Sequence, residues 1–139
     1  MFVGTHQRSL DEKGRLALPS QYRDAMGTVC YATPLFDSPT LAIWSSEEFQ
    51  KAVARLTERV SEGRASQKMQ RRFMYASVEL RIDGQGRITL PQDLRDRYGI
   101  SNEAIVAGST NRLEVWNPEA FDEFHQEDDD IVDDGSWLA

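Results

Sequence analysis

Little in this sequence serves catalysis or cross-linking. Cysteine occurs once, at Cys30, so no intramolecular disulfide can form, and the apolar neighbours Val29 and Tyr31 mark it as a buried core thiol. Histidine occurs twice, at His6 and His125, far apart in sequence, and one free cysteine beside them cannot build a zinc site. No apolar run approaches the roughly 20 residues that a membrane span needs. The segment Met1-Phe2-Val3-Gly4-Thr5-His6 lacks the basic flank and apolar stretch of a secretory signal, so a cytoplasmic protein is expected. Gly84-Gln85-Gly86-Arg87 lacks the Gly-Lys-Ser/Thr ending of a phosphate loop and the third glycine of a dinucleotide fingerprint. Asp11 and Asp83 have no small hydroxyl residue beside them of the kind a carboxylate dyad would use. No enzyme, no metal site and no cofactor are expected.

Basic residues are also in deficit, 16 against 23 acidic for a net charge of −7, which discourages a nucleic-acid partner until charge is resolved along the chain. Residues 117 to 139 hold nine acidic side chains and no Lys or Arg, whereas residues 1 to 116 carry 16 basic against 14 acidic, a net +2. Acidity belongs largely to the tail. Its Asp128-Asp129-Asp130 and Asp133-Asp134 lack the spaced ligands and glycine of a calcium loop, and residues 126–139 are expected to be disordered and solvated.

What the sequence has is a repetition. Asp11-Glu12-Lys13-Gly14-Arg15-Leu16-Ala17-Leu18-Pro19 returns 72 residues later as Asp83-Gly84-Gln85-Gly86-Arg87-Ile88-Thr89-Leu90-Pro91. The same offset carries Arg23-Asp24 onto Arg95-Asp96, Gly27 onto Gly99, Trp44 onto Trp116 and Phe49 onto Phe121. Two copies of one supersecondary unit follow, each too small to bury a large core alone, so the two are expected to share one.

Each copy reads as a strand, a tight turn, a strand, a helical turn and a hairpin. Gly14 and Gly86 supply the positive φ that such a turn demands, and Asp11 and Asp83 supply a short carboxylate that accepts backbone N–H bonds within it. Pro19 and Pro91 suit the first turn of helices over Ser20 to Met26 and Gln92 to Tyr98, with Gly27 and Gly99 as C-terminal caps. Phe49, Ala52, Val53, Leu56 and Val60 recur at helical spacing, and Met69, Phe73 and Ala76 continue the pattern, which predicts a helical hairpin between the copies. Its Lys51, Arg55, Arg59, Arg64, Lys68, Arg71 and Arg72 read as a solvated face, and Phe2, Phe36 and Trp44 read as core. The expected domains are a first repeat at 1–50, a connector at 51–76, a second repeat at 77–125 and the tail.

A duplicated arginine after a glycine turn has two readings. Arg15 and Arg87 can contact phosphates or fork onto O6 and N7 of guanine in a major groove. Alternatively, each simply pairs with the aspartate four residues before it and pins the turn.

The pattern Asp-x-x-Gly-Arg-φ-x-φ-Pro-x-x-x-Arg, with φ apolar, resembles the SpoVT/AbrB family of swapped-hairpin DNA-binding domains, here present twice over residues 1 to about 125. The resemblance implies an α+β fold in which two βαββ-type repeats interleave into one pseudo-twofold swapped-hairpin barrel, with a second helix after each repeat. It implies a nucleoid-associated, sequence-specific regulator of transcription that binds double-stranded DNA at short G-rich direct repeats, represses its own division and cell-wall gene cluster, and assembles with itself into a ring. Carried over by position, the family's DNA-contacting residues are Arg8, Arg15 and Arg23 in the first copy and Arg87 and Arg95 in the second; Lys13, close to Arg8 and Arg15, and Arg81, beside Leu80, join them as expected DNA-binding residues, and Asp11, Gly14, Asp83 and Gly86 are read as structuring the turns. The second copy is the poorer in charge, since Leu80 stands where Arg8 stands in the first and Gln85 where Lys13 stands. The same fold serves antitoxins that grip a partner through a C-terminal extension, so the acidic tail with Trp137 and Leu138 is read as a possible protein-binding segment. Duplication argues against an ordinary antitoxin.

Overall fold

A computed structural model describes residues 1–126 and 134–139. Residues 127–133, half of the expected disordered tail, lie outside the described residues. The first copy contributes β1 (Thr5–Ser9), β2 (Arg15–Ala17), α1 (Ser20–Met26), β3 (Val29–Pro34) and β4 (Leu41–Ser45). Two helices follow, α2 (Ser46–Ser61) and α3 (Gln67–Ala76). The second copy contributes β5 (Val78–Arg81), β6 (Arg87–Thr89), α4 (Gln92–Tyr98), β7 (Glu103–Gly108), β8 (Leu113–Trp116) and α5 (Pro118–Gln126). A short 3-10 turn occupies Ser136–Leu138.

The fold is α+β, with two antiparallel sheets. Six strands run in the order β1-β7-β8-β4-β3-β5, and β2 pairs with β6 in a separate ribbon. Shifting each strand by the 72-residue offset turns β1 into β5, β3 into β7 and β4 into β8, and the six-strand order then reads the same from its other end. The first strand of each copy leaves its own unit: β1 pairs with β7, and β5 pairs with β3. The copies meet again at β4 against β8 and at β2 against β6.

This exchange places one core between the copies. Leu16, Leu18, Ile88 and Leu90, the apolar positions of the two repeated motifs, are fully buried there beside Tyr22, Met26, Leu94 and Ile100. Tyr22 and Met26 are four residues apart and so lie on one face of α1, which turns that face inward. Cys30 is buried in the same core, and loss of solvation pushes its thiol pKa up to about 12, as the sequence suggested for an inert residue.

On the other side of the sheet, Ala42, Trp44, Phe49 and Phe73 pack with Tyr31, Leu35 and the inner residues of α2. Trp116 meets Phe121 and Phe124 of α5 in the matching place. The starts of α2, α3 and α5 are capped by side chains: Ser45 Oγ accepts from Glu48 N at 3.2 Å, Ser66 Oγ from Met69 N at 3.0 Å, and Asn117 Oδ1 from Ala120 N at 2.9 Å.

Three expectations need correction. Pro19 and Pro91 stand one residue outside α1 and α4, at ψ 137° and 148°, because each keeps the extended backbone that follows the strand before it. Phe36 is exposed in the turn between β3 and β4, its ring 6.2 Å from that of Phe73 at the margin of the second cluster. Gln126 closes α5 instead of opening the tail.

The seam between β4 and β8 contains a buried polar contact, Thr40 Oγ1 donating to Val115 O at 2.7 Å. Thr40→Val keeps the shape and removes the donor. A loss of about 0.5–1.5 kcal/mol is expected, seen as a lower urea midpoint at unchanged slope.

Candidate nucleic-acid interface

The two repeated motifs come together at the β2–β6 ribbon. Arg15 pairs with Thr89, Leu16 with Ile88, and Ala17 with Arg87. Side chains alternate across a strand, so burial of Leu16 and Ile88 turns Arg15, Ala17, Arg87 and Thr89 to the outer face. Arg15 and Arg87 are then diagonal neighbours on one face, about 7–8 Å apart. Beyond the paired residues the ribbon continues symmetrically, with Leu18 N donating to Gly86 O and Leu90 N to Gly14 O, both at 2.9 Å.

Each turn is held by its aspartate. Asp11 Oδ1 accepts from Lys13 N at 3.0 Å and Arg15 N at 2.9 Å, and Asp83 Oδ1 accepts from Gln85 N and Arg87 N, both at 2.9 Å. The second carboxylate oxygen receives Arg15 Nε in the first copy and Arg87 Nε, at 3.0 Å, in the second. Gly14 and Gly86 sit at φ 78° and 75°, where an L side chain is strained, and their N–H groups return to the carbonyls of Asp11 and Asp83 at 3.0 Å.

Both sequence readings of the arginine are therefore compatible in one geometry. The ion pair uses Nε and leaves the terminal guanidinium nitrogens of Arg15 and Arg87 without a hydrogen bond among the described residues. The side chains remain 35% and 29% exposed. The aspartate orients the fork, and the fork's far edge faces solvent.

Backbone N–H groups of Arg15 and Arg87, foremost, hold the pKa of Asp11 and Asp83 below 3.8, with the arginine side chains adding to the effect. A lowered carboxyl pKa contributes stability that is whole above the unfolded value near 3.8 and lost as pH falls through the lower folded one. Carbon-13 titration should give midpoints below 3.8 for both carboxyls, and the turns should stay intact from pH 8 to 5. A midpoint above 3.8 at either would show that its turn is not closed this way.

The remaining candidates spread around the ribbon. Lys13 is exposed at the apex of the first turn, where the second turn has Gln85. Arg8 is half-buried on β1 opposite Ala104, and its Nη1 donates to Gln7 O at 3.0 Å. Its counterpart Leu80 is buried in the core, while Arg81 beside it is exposed. Arg23 and Arg95 are half-buried, their Nε groups donating to Leu18 O at 3.1 Å and Leu90 O at 2.9 Å. Thr89, exposed opposite Arg15, joins the outer face; strict alternation through Arg87-Ile88-Thr89 was the signal for it. The basic residues from Lys51 to Arg72 on α2, α3 and their connection are all exposed, as a solvated face would be.

Fold and site together define an α+β protein of two matched units that share one core and one basic ribbon. A family model described as "MraZ protein, putative antitoxin-like" matches residues 1–73 and again 73–134. The chain is 35% identical over 131 residues to a protein named transcriptional regulator MraZ from Saccharopolyspora erythraea, covering 92% of this chain and 91% of that one. A protein of the same name from Mycolicibacterium smegmatis is 36% identical, covering 91% and 87%, and one from Lactobacillus gasseri is 31% identical, covering 96% and 93%. The chain belongs to the MraZ family, a family of regulators and not of enzymes. No helix among the described residues is long and apolar enough to cross a membrane.

Proposed function

We propose that this chain is a sequence-specific DNA-binding regulator of transcription that reads base edges with Arg15 and Arg87. One observation carries the reading: two arginines, one from each copy, stand on the outer face of a two-stranded ribbon with their terminal nitrogens unspent. A major groove admits a two-stranded ribbon, and an arginine fork matches guanine O6 and N7 there. A separation of about 7–8 Å between the two side chains spans roughly two base steps. G-rich sites fit that pair. Lys13, Arg8 and Arg81 flank the ribbon as phosphate contacts, with the first copy gripping more strongly because it holds Arg8 and Lys13 where the second holds Leu80 and Gln85.

Exchange of β1 and β5 between the copies supports reading the body as a swapped-hairpin barrel made from a single chain. A net charge of +2 on residues 1 to 116 gives each chain a weak grip. Self-assembly into a ring on direct repeats compensates, since linked sites raise avidity by roughly 10²–10⁴ when geometry lets them engage together. The family suggests repression of its own gene cluster, at the nucleoid in the cytoplasm.

Fluorescence polarisation tests this with duplexes carrying G-rich direct repeats against scrambled duplexes, over a salt series. Tight, repeat-selective binding that weakens with salt is expected. Equal affinity for both duplexes would overturn base reading, and no binding by a folded, assembled chain would turn attention to the acidic tail and a protein partner.

A further inference from the structure

Arg23 and Arg95 bond within their own copies but lie against the turn of the other. A Cβ built on Gly86 would fall 2.2 Å from Arg23 Nε and 2.6 Å from its Cδ and Cζ. A Cβ built on Gly14 would fall 2.6 Å from Arg95 Nε and 2.7 Å from its Cζ. No side chain fits between arginine and turn at either place. The contact closes a circuit: Arg23 Nε donates to Leu18 O, and Leu18 N donates to Gly86 O, the residue that Arg23 covers. Arg95, Leu90 and Gly14 repeat it.

Resting on the DNA-reading role argued above, we infer that Arg23 and Arg95 are positioning residues acting crosswise: Arg23 sets the turn that aims Arg87, and Arg95 sets the turn that aims Arg15. A phosphate contact would use the arginine as a charge, which lysine also supplies. The brace uses a donor at Nε and a planar group lying over a glycine, neither of which lysine has. It also explains why the arginine recurs in both copies although the residue after it, Asp24 or Asp96, is acidic and unhelpful to a phosphate grip. Since β2 and β6 form one ribbon, a fault in either helix arginine reaches the recognition residue of the opposite copy.

Hydrogen exchange read by mass spectrometry on the full chain, without DNA, separates the two turns. Arg23→Lys should speed exchange in peptides covering residues 83–88 and leave 11–16 unchanged, and Arg95→Lys should do the reverse. Equal acceleration in both turns, or in every peptide, overturns the crosswise assignment, as does no change in either.

Binding to the repeat duplex supplies the second arm. Arg23→Lys should weaken binding about tenfold in the wild type and in Arg15→Ala, but have little further effect in Arg87→Ala, where the residue it aims is gone. An unchanged affinity in Arg23→Lys, or an equal loss in both backgrounds, assigns Arg23 to phosphate and overturns the inference. Crosswise exchange in a protein that binds no DNA would instead sink the DNA reading and leave the crosswise setting of the turns standing.

Discussion

Arg15→Ala combined with Arg87→Ala is expected to abolish the preference for G-rich repeats while leaving the chain folded. Each good bidentate contact to guanine discriminates by about 1–3 kcal/mol, so losing two costs on the order of 10²-fold or more in specific affinity. Stability should barely move. The ribbon is held from beneath by the fully buried Leu16 and Ile88, and the lost ion pairs to Asp11 and Asp83 are exposed enough to contribute little. Of the single variants, Arg15→Ala should cost more, because Lys13 and Arg8 anchor its side of the ribbon. A greater loss from Arg87→Ala would reverse that ranking. Arg15→Lys with Arg87→Lys separates charge from shape: lysine keeps the attraction to phosphate but not the planar fork, so scrambled DNA should still bind while selectivity vanishes. Retained selectivity in the lysine pair, measured by competition between the two duplexes, would show that the arginines do not read bases.

Much of this arrangement was legible because the chain states its motif twice. The turn Asp11 to Arg15 carries its own instructions, a carboxylate to gather N–H groups and a glycine for positive φ, and its recurrence at Asp83 to Arg87 ruled out coincidence. Both short helices matched their expected limits, since the proline before and the glycine after each bracket seven residues. The partners of the strands were a different matter. β1, Thr5-His6-Gln7-Arg8-Ser9, has no apolar residue to mark an inner face and nothing to say which strand lies beside it, and the exchange with β7 is a property of two copies folding together. That copies should interleave came from the resemblance. Phe36 was misread for a related reason: an aromatic residue in a small chain has good odds of burial, yet the turn after Pro34 carries it beyond the ends of β3 and β4, and only the tertiary path reveals that. The meeting of Arg23 with Gly86 left no trace in spacing, because those residues are 63 apart and in different copies.

Gly86→Ala is expected to damage stability and recognition together, as its counterpart Gly14→Ala should in the first turn. Alanine at φ 75° costs about 1–2 kcal/mol in backbone strain. Its methyl group also takes the space of Arg23 Nε, 2.2 Å from the ideal Cβ position, so the arginine must swing away. With it goes the hydrogen bond to Leu18 O, worth about 1 kcal/mol more. A total loss of about 2–3 kcal/mol should appear in chemical denaturation. Two comparisons locate the cause. Gly84→Ala, in the same turn but with nothing within 4 Å of its added methyl and no positive φ, should be almost silent. Gly86→Ala placed on an Arg23→Ala background should destabilise by the strain alone, since the displaced side chain is already absent; a double-mutant cycle would return that difference as about 1 kcal/mol of coupling. Full additivity would mean that arginine and glycine do not share the space the geometry gives them, and the glycine would then be required only for its backbone.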